Sequence, residues 1–245
     1  MTGEEVTELP DIVSTPLKSP LYPPPPYNYK NANLFLALFN PTVESIEKLL
    51  PEPLRPSQLP LAGIMTGLQP CVEAGTFWES ALLVQCMFDN PETGEDEVGV
   101  YFAHVYVDTD AALASGREIW GYPRKLADIQ MKWKGDTLTA TTGRNGNRLF
   151  YAKCTFDEDG EWIDSGPNVN VKMIPSVTGE GFDASFLTAA YLKYDIHNGR
   201  SGDVEIEITS GPEDDLSILE IETPMIGLYF DCDIFLPPGK VIAKL

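Results

Sequence analysis

The segment Gly116-Arg117-Glu118-Ile119-Trp120-Gly121-Tyr122-Pro123-Arg124-Lys125-Leu126 holds the residues best suited to chemistry. From Arg117 to Lys134 there are five cations and two acids, in a 245-residue chain whose 17 Lys+Arg and 37 Asp+Glu give a net charge of −20. Trp120, Tyr122, Leu126 and Ala127 surround Arg124-Lys125 with apolar surface. A lysine in such surroundings has a use that an exposed one lacks, because its neutral amine attacks a carbonyl. At a reference pKa of about 10.4, about one amine in a few thousand is neutral at pH 7. Desolvation or a neighbouring cation lowers that pKa and raises the neutral fraction. An arginine stays protonated and forms no imine, but its fork can hold a carboxylate or enolate through two hydrogen bonds.

Other polar residues weigh less. His104, in Phe102-Ala103-His104-Val105-Tyr106, reads first as a hydrogen-bonded core histidine and second as a pocket acid–base group. Glu213-Asp214-Asp215 follows Gly211-Pro212 in an expected turn and reads as a solvating acidic run. Arg117 and Glu118 read as an ion pair or a helix-end contact. The four cysteines, Cys71, Cys86, Cys154 and Cys232, have no metal-ligand spacing, so reduced buried thiols are expected and no metal or cofactor is invoked. The acidity argues against nucleic acid and against a polybasic membrane anchor. No apolar run approaches a membrane span, and the first ten residues carry no signal-like apolar core, so a cytoplasmic protein is expected.

The elements that must position these groups are mostly strands. Twelve of the 21 prolines fall in the first 60 residues. Aromatic residues interleave them from Pro16 onward, so an arm laid along the body is expected there, with residues 1–12 disordered. Asn33 to Asn40 reads as a strand, and Thr42-Val43-Glu44 opens a short helix through Leu50. Ala81–Phe88 and Val98–Val107 form a hairpin, and Asp108–Asp110 caps a helix over Ala111–Arg117. Thr137–Thr142 and Arg148–Phe156 flank the turn dipeptide Asn145-Gly146. Val169–Ile174, Phe186–Tyr194, Val204–Ile208 and Leu228–Phe235 read as later strands. Strands without long intervening helices predict an α+β protein with a mainly antiparallel β-barrel or cone, in one domain over residues 13–245.

Ordered landmarks over nearly the whole chain resemble the acetoacetate decarboxylase family. Ser14-Thr15-Pro16-Leu17-Lys18-Ser19-Pro20 with Pro26-Tyr27 is similar to its N-terminal arm. Pro51-Glu52-Pro53-Leu54 is similar to the next landmark, and Gly116-Arg117-Glu118 with Tyr122-Pro123-Arg124-Lys125-Leu126 to its core signature. Met173-Ile174-Pro175 and Ile234-Phe235-Leu236-Pro237 match later strands. The resemblance implies an oligomeric antiparallel barrel or cone that decarboxylates a β-keto acid through a lysine imine. The imine lysine of the family falls at Arg124, and Lys125 matches the lysine after it. Thr76-Phe77-Trp78-Glu79-Ser80 resembles the segment carrying the family's active-site glutamate, which makes Glu79 a proton shuttle or, more simply, a rim carboxylate. The substrate-facing arginine of the family falls near Ala32, where Lys30 could substitute, and a second glutamate falls near Gly63. A pocket reshaped for a larger or less charged ketone is implied.

Two arrangements are open. Either the backbone turns Lys125 inward, with Arg124 lowering its pKa, or Arg124 fills the pocket and imine chemistry is lost. The first predicts a lyase in which Lys125, Arg124 and Glu79 act on a keto acid or ketone by decarboxylation, aldol or dehydration chemistry. Tyr122, Tyr29, Lys30, Trp78, Trp120 and His104 would then contact substrate. The second predicts an imine-free isomerase, cyclase or hydratase using Arg124 and Glu79, and a non-catalytic small-molecule binder is a third possibility.

Overall fold

Strand-forming runs carry most of the chain into one sheet. The computed structural model describes residues 13–245, and the disorder expected of residues 1–12 lies outside the described residues. In chain order the elements are β1 (Tyr27–Pro41), α1 (Val43–Leu49), β2 (Arg55–Pro56), β3 (Ala62–Cys71), β4 (Gly75–Asp89), β5 (Asp96–Val107) and α2 (Asp110–Ser115). After a wide helical turn, Gly116–Trp120, come β6 (Arg124–Leu126), β7 (Asp128–Lys134), β8 (Thr137–Arg144) and β9 (Asn147–Asp159). The chain closes with β10 (Asn168–Pro175), β11 (Phe182–Ala190), β12 (Lys193–Ile208), β13 (Ile221–Leu236) and β14 (Lys240–Lys244).

The order across the sheet is β14-β11-β10-β5-β4-β3-β1-β13-β12-β9-β8-β7, with β2 beside β4 and β6 beside β5. Pairing is antiparallel except where β10 and β6 join β5. The sheet curls until β7 packs against β3, β4 and β5, but among the described residues its β14 and β7 edges stay unpaired, so barrel or cone describes it loosely. Successive strand residues face opposite ways, and both faces are covered. On β1, Phe35, Ala37 and Phe39 enter one core with Ile64, Leu82 and Val84. Tyr29, Ala32 and Leu34 enter the other, with Met65, Phe77 and Ala81. The second core surrounds the site described below.

Boundaries moved where backbone chemistry outweighed side-chain pattern. β1 starts at Tyr27, six residues before the expected strand, and buries Tyr27 and Tyr29 while the arm buries Ser14 and Tyr22. β3 escapes its pattern because Gly63, Gly67 and Pro70 read as breakers. A Cβ on Gly67 would lie 2.2 Å from the Asn33 carbonyl oxygen, so close strand approach accounts for that glycine. β12 starts at Lys193 rather than Val204, passing through Gly199, where a Cβ would meet the Gly160 carbonyl oxygen at 2.2 Å. Asn145 and Gly146 adopt φ of 51° and 80°, the pair that a tight hairpin turn requires. Among the described residues no helix is long and apolar enough to cross a membrane. All four cysteines are buried and free.

Candidate active site

The placement of Arg124 begins with the end of α2. The expected helix over Ala111–Arg117 stops at Ser115, and the chain widens into a turn closed by the Gly121 N–H donating to the Gly116 carbonyl, 2.9 Å. Such one-turn widenings concentrate at functional sites. Gly121 ends it at φ 86°, a conformation that costs a side-chain-bearing residue, and a Cβ there would also sit 2.7 Å from the Lys172 backbone. Pro123 then forces an extended chain into β6, which pairs parallel with β5 as Val105–Arg124 and Tyr106–Lys125. Adjacent strand residues take opposite faces, so Arg124 and Lys125 separate.

Arg124 enters the second core, only 4% exposed. Its Nη2 lies 2.5 Å from Glu79 Oε2, and its Nη1 donates to the Ala112 carbonyl at 2.7 Å. Its guanidinium carbon stands 5.2 Å from the Phe77 ring centre and 5.1 Å from that of Tyr122, within reach of cation–π attraction. Burial alone would lower its pKa. Glu79, then the Tyr29 and Tyr122 hydroxyls, outweigh that and hold it above the ordinary arginine value, so the charge is permanent. The Glu79 contact is ionic but poorly aligned, since Glu79 Oε2 and Arg124 Nε both lack a hydrogen-bond partner among the described residues. Gln69 Oε1 is likewise buried without a partner. Buried polar atoms are ordinarily paired, and these three surround a cavity of about 40 Å³. That is about the space of three waters, the size of a carboxylate or carbonyl head.

β4 supplies Glu79 by alternation. Phe77, Glu79 and Ala81 face the cavity side, whereas Trp78 packs in the opposite core. Tyr29 and Tyr122 line the cavity, and Asn168 Nδ2 donates to the Tyr122 hydroxyl at 2.8 Å. Burial raises the Tyr122 and Tyr29 hydroxyl pKa values well above ordinary tyrosine, so both are neutral donors. Arg124, Glu79, Tyr122 and Tyr29 are therefore brought together. Gln69, Asn168, Tyr194 and Phe102 join them without having been foreseen. Phe77 was signalled two residues before Glu79, while Asn168 and Tyr194 come from remote strands with no local pattern.

The remaining candidates lie elsewhere, each for a physical reason. Lys125 Nζ binds Asp214 Oδ1 at 2.7 Å and the Glu213 carbonyl at 2.7 Å, on the face away from the cavity. His104 follows it there, because a bulge pairs Phe102 with Leu83 but His104 with Leu82 and so reverses their faces. Burial, then Lys125, lowers its pKa, leaving it neutral at pH 7. Lys30 is exposed on Asp233, so it does not stand in for a pocket cation. Trp120 is fully buried edge-on to Tyr27, with Nε1 donating to the Pro237 carbonyl, as a structural residue. Arg117 and Glu118 do not pair with each other. Arg117 donates to the Arg124 carbonyl, and Glu118 accepts from the Tyr22 hydroxyl.

Asp214 corrects the reading of its acidic run as solvating. It is buried and binds the Tyr106 hydroxyl, Lys125 and Arg144. Burial alone would raise its pKa, but Lys125, Tyr106 and Arg144 outweigh it, and the net shift is downward. A folded value below the unfolded one gives stability that is full above about pH 4 and is lost as pH falls through the folded value. Asp214→Ala is expected to cost about 2–3 kcal/mol at pH 7, with the deficit shrinking below pH 4. Urea denaturation at pH 7 and pH 3 checks it, and an equal deficit at both values contradicts it.

Gly116 keeps the guanidinium in place. A Cβ there would meet Arg124 Cδ at 2.5 Å and Nη1 at 2.6 Å. Gly116→Ala is expected to lower activity on the order of 100-fold by shifting Arg124 about 1 Å, while alanine's better helix propensity keeps the fold. Steady-state kinetics with a melting curve separate the two effects.

The family model for acetoacetate decarboxylase (ADC) matches residues 14–245. Acetoacetate decarboxylase of Clostridium acetobutylicum is 25% identical over 241 residues, spanning 94% of each chain. That of Ralstonia nicotianae is 27% identical over 239 residues, 93% of this chain and 92% of its own. A solved acetoacetate decarboxylase superposes with a TM-score of 0.83 at 25% identity, covering 95% of both chains. The enduracididine biosynthesis enzyme MppR, solved with pyruvate, superposes at 0.82 with 16% identity, covering 95% of this chain and 98% of its own, a likeness of fold.

Proposed function

Since the chain belongs to the acetoacetate decarboxylase family, we propose that it is a lyase-type or related enzyme acting on a small carbonyl acid or ketone without a lysine imine. The observation that carries this reading is the occupant of the cavity. Arg124 is the one cation lining it among the described residues, at the position resembling the family's imine lysine, and Lys125 is held by Asp214 on the other face. A guanidinium forms no imine, but it is the group best shaped to hold an oxyanion.

The chemistry that fits is enolate formation. Glu79 takes the proton from the carbon next to the carbonyl, the C–H electron pair becomes the C=C bond of the enolate, and the C=O π pair moves onto the oxygen. That oxygen becomes an enolate held by Arg124 Nε, with the Tyr122 and Tyr29 hydroxyls nearby as neutral donors. Return of that proton from Glu79 to another carbon of a delocalised anion isomerises the substrate. Its delivery to a β-hydroxyl, which leaves as water while the enolate re-forms the carbonyl, dehydrates it. If a β-carboxylate leaves as carbon dioxide instead, the C–C pair becomes the enolate C=C bond and the C=O π pair moves onto the same oxygen. A preorganised donor of this kind in a water-poor site contributes on the order of 100–1,000-fold in rate.

The test is hydrogen–deuterium exchange at the α-carbon of 2-alkanones and 3-oxo acids in D2O, followed by NMR. Exchange is expected to fall on the order of 100-fold in Arg124→Gln, to persist in Lys125→Ala, and to survive borohydride treatment in the presence of ketone. Inactivation by borohydride would sink the imine-free reading. Binding without exchange would favour a non-catalytic binder.

A further inference from the structure

An apolar trough of about 180 Å³ adjoins the Arg124–Glu79 cavity. Leu34, Met65, Phe102, Asn168 and Tyr194 line both, so the two spaces lie on either side of the same five side chains. The floor of the trough is sheet. Along β1, Leu34, Leu36 and Leu38 point to one face over five residues, about 13 Å of strand. Leu36 pairs with Met65, and Leu38 pairs with Gly63. Gly63 in turn pairs with Leu83 of β4, and a Cβ on it would lie 2.7 Å from Leu38 Cδ2, so the Leu38 side chain lies across the glycine as part of the floor. Trp162 forms a wall, 4.3 Å from the Tyr194 ring and 5.2 Å from the Phe230 ring. Among the described residues, Asp164 is the one charged residue lining the trough.

We propose that this trough binds the apolar tail of the substrate, so that the carbonyl compound carries an uncharged hydrocarbon or aromatic substituent of about six to eight carbons. This deepens the proposed function and rests on Arg124 holding the head. The two volumes divide the work. The cavity at Arg124 takes only a head group, whereas an apolar cavity of about 150 Å³ is known to hold a benzene-sized group. An anionic tail meets Asp164 and finds no cation among the described residues of the trough, which restricts the class to neutral tails.

The probes are straight-chain carboxylates from butanoate to decanoate, titrated by calorimetry into the wild-type protein, Leu83→Trp, Val100→Phe and Arg124→Gln. The carboxylate stands in for the enolate or carboxylate of the substrate. Affinity is expected to rise about fourfold per methylene until the trough is full near octanoate, then level off. Leu83→Trp, or Val100→Phe if the first does not fold, is expected to flatten this rise while leaving butanoate affinity within about twofold. A wild-type affinity independent of chain length overturns the tail site, as does a rise that both trough variants leave intact. Failure of the head-group reading looks different, since Arg124→Gln would then bind every chain length as the wild type does.

Discussion

Replacing Arg124 by lysine is expected to turn a protein that forms no borohydride-stable adduct with a ketone into one that does. The side chain at position 124 is delivered to the cavity by the β6–β5 pairing and by the wide turn after α2, neither of which depends on arginine. A lysine there lies among Phe77, Tyr122 and Tyr29, where desolvation disfavours its charged form, although Glu79 opposes this. Its neutral amine attacks the ketone carbon, water leaves, and borohydride delivers hydride to the imine carbon to give a secondary amine. The effect is large because the arginine forms no imine at all. Intact-mass and peptide mapping of Arg124→Lys are expected to place the adduct on residue 124, with Lys125 unmodified. An adduct on Lys125 in this variant would mean that Asp214 does not hold it away from the cavity.

Glu79→Ala is expected to be the most destabilising single change at the site. Glu79 is 7% exposed and neutralises a guanidinium that is 4% exposed. Removing one member of such a pair strands the other's charge in an apolar core and costs about 3–5 kcal/mol. For a domain of this size that lowers Tm by on the order of 10 °C. The same variant loses activity by the loss of its proton carrier. Adding Arg124→Met removes the stranded charge, so the double variant is expected to regain most of the stability and none of the activity. A double-mutant cycle by urea denaturation measures the coupling, and additive single effects would contradict a buried pair.

Much of this site was legible from residue order. The signature placed Arg124 and Lys125 side by side, and strand alternation required that only one of them face the pocket. What sequence could not supply was which face β5 would offer them. That choice depends on the parallel register of β6 against Val105–Val107, a pairing between segments with no turn between them. His104 shows the same limit more sharply, since a single bulge reverses it relative to Phe102. Trp78 and Glu79 were both candidates, yet adjacent positions of a regularly paired strand are divided between the two faces, and Trp78 packs in the first core. Asp214 looked solvating because turns are usually exposed, whereas its carboxylate anchors three side chains across 70 to 108 residues of sequence. Asn168, Tyr194 and Trp162 come from strands and a loop that meet the site only through the sheet order β10-β5-β4-β3-β1-β13-β12. Long-range pairing of that kind leaves no local periodicity to read.

The net charge of −20 takes on a narrower meaning in this setting. An acidic surface opposes entry of an anionic acid, so the head group is held by one buried cation already paired to Glu79. A neutral apolar tail then contributes affinity that the overall field cannot oppose.

The central claim is that a guanidinium, and no lysine amine, receives the carbonyl compound. The most direct measurement treats wild-type protein with 3-oxooctanoate and borohydride and maps every lysine by peptide mass. The account predicts an unmodified Lys125 and an unchanged protein mass, under conditions where Arg124→Lys gains the reduced adduct. A reduced adduct on Lys125 of the wild-type protein would contradict it.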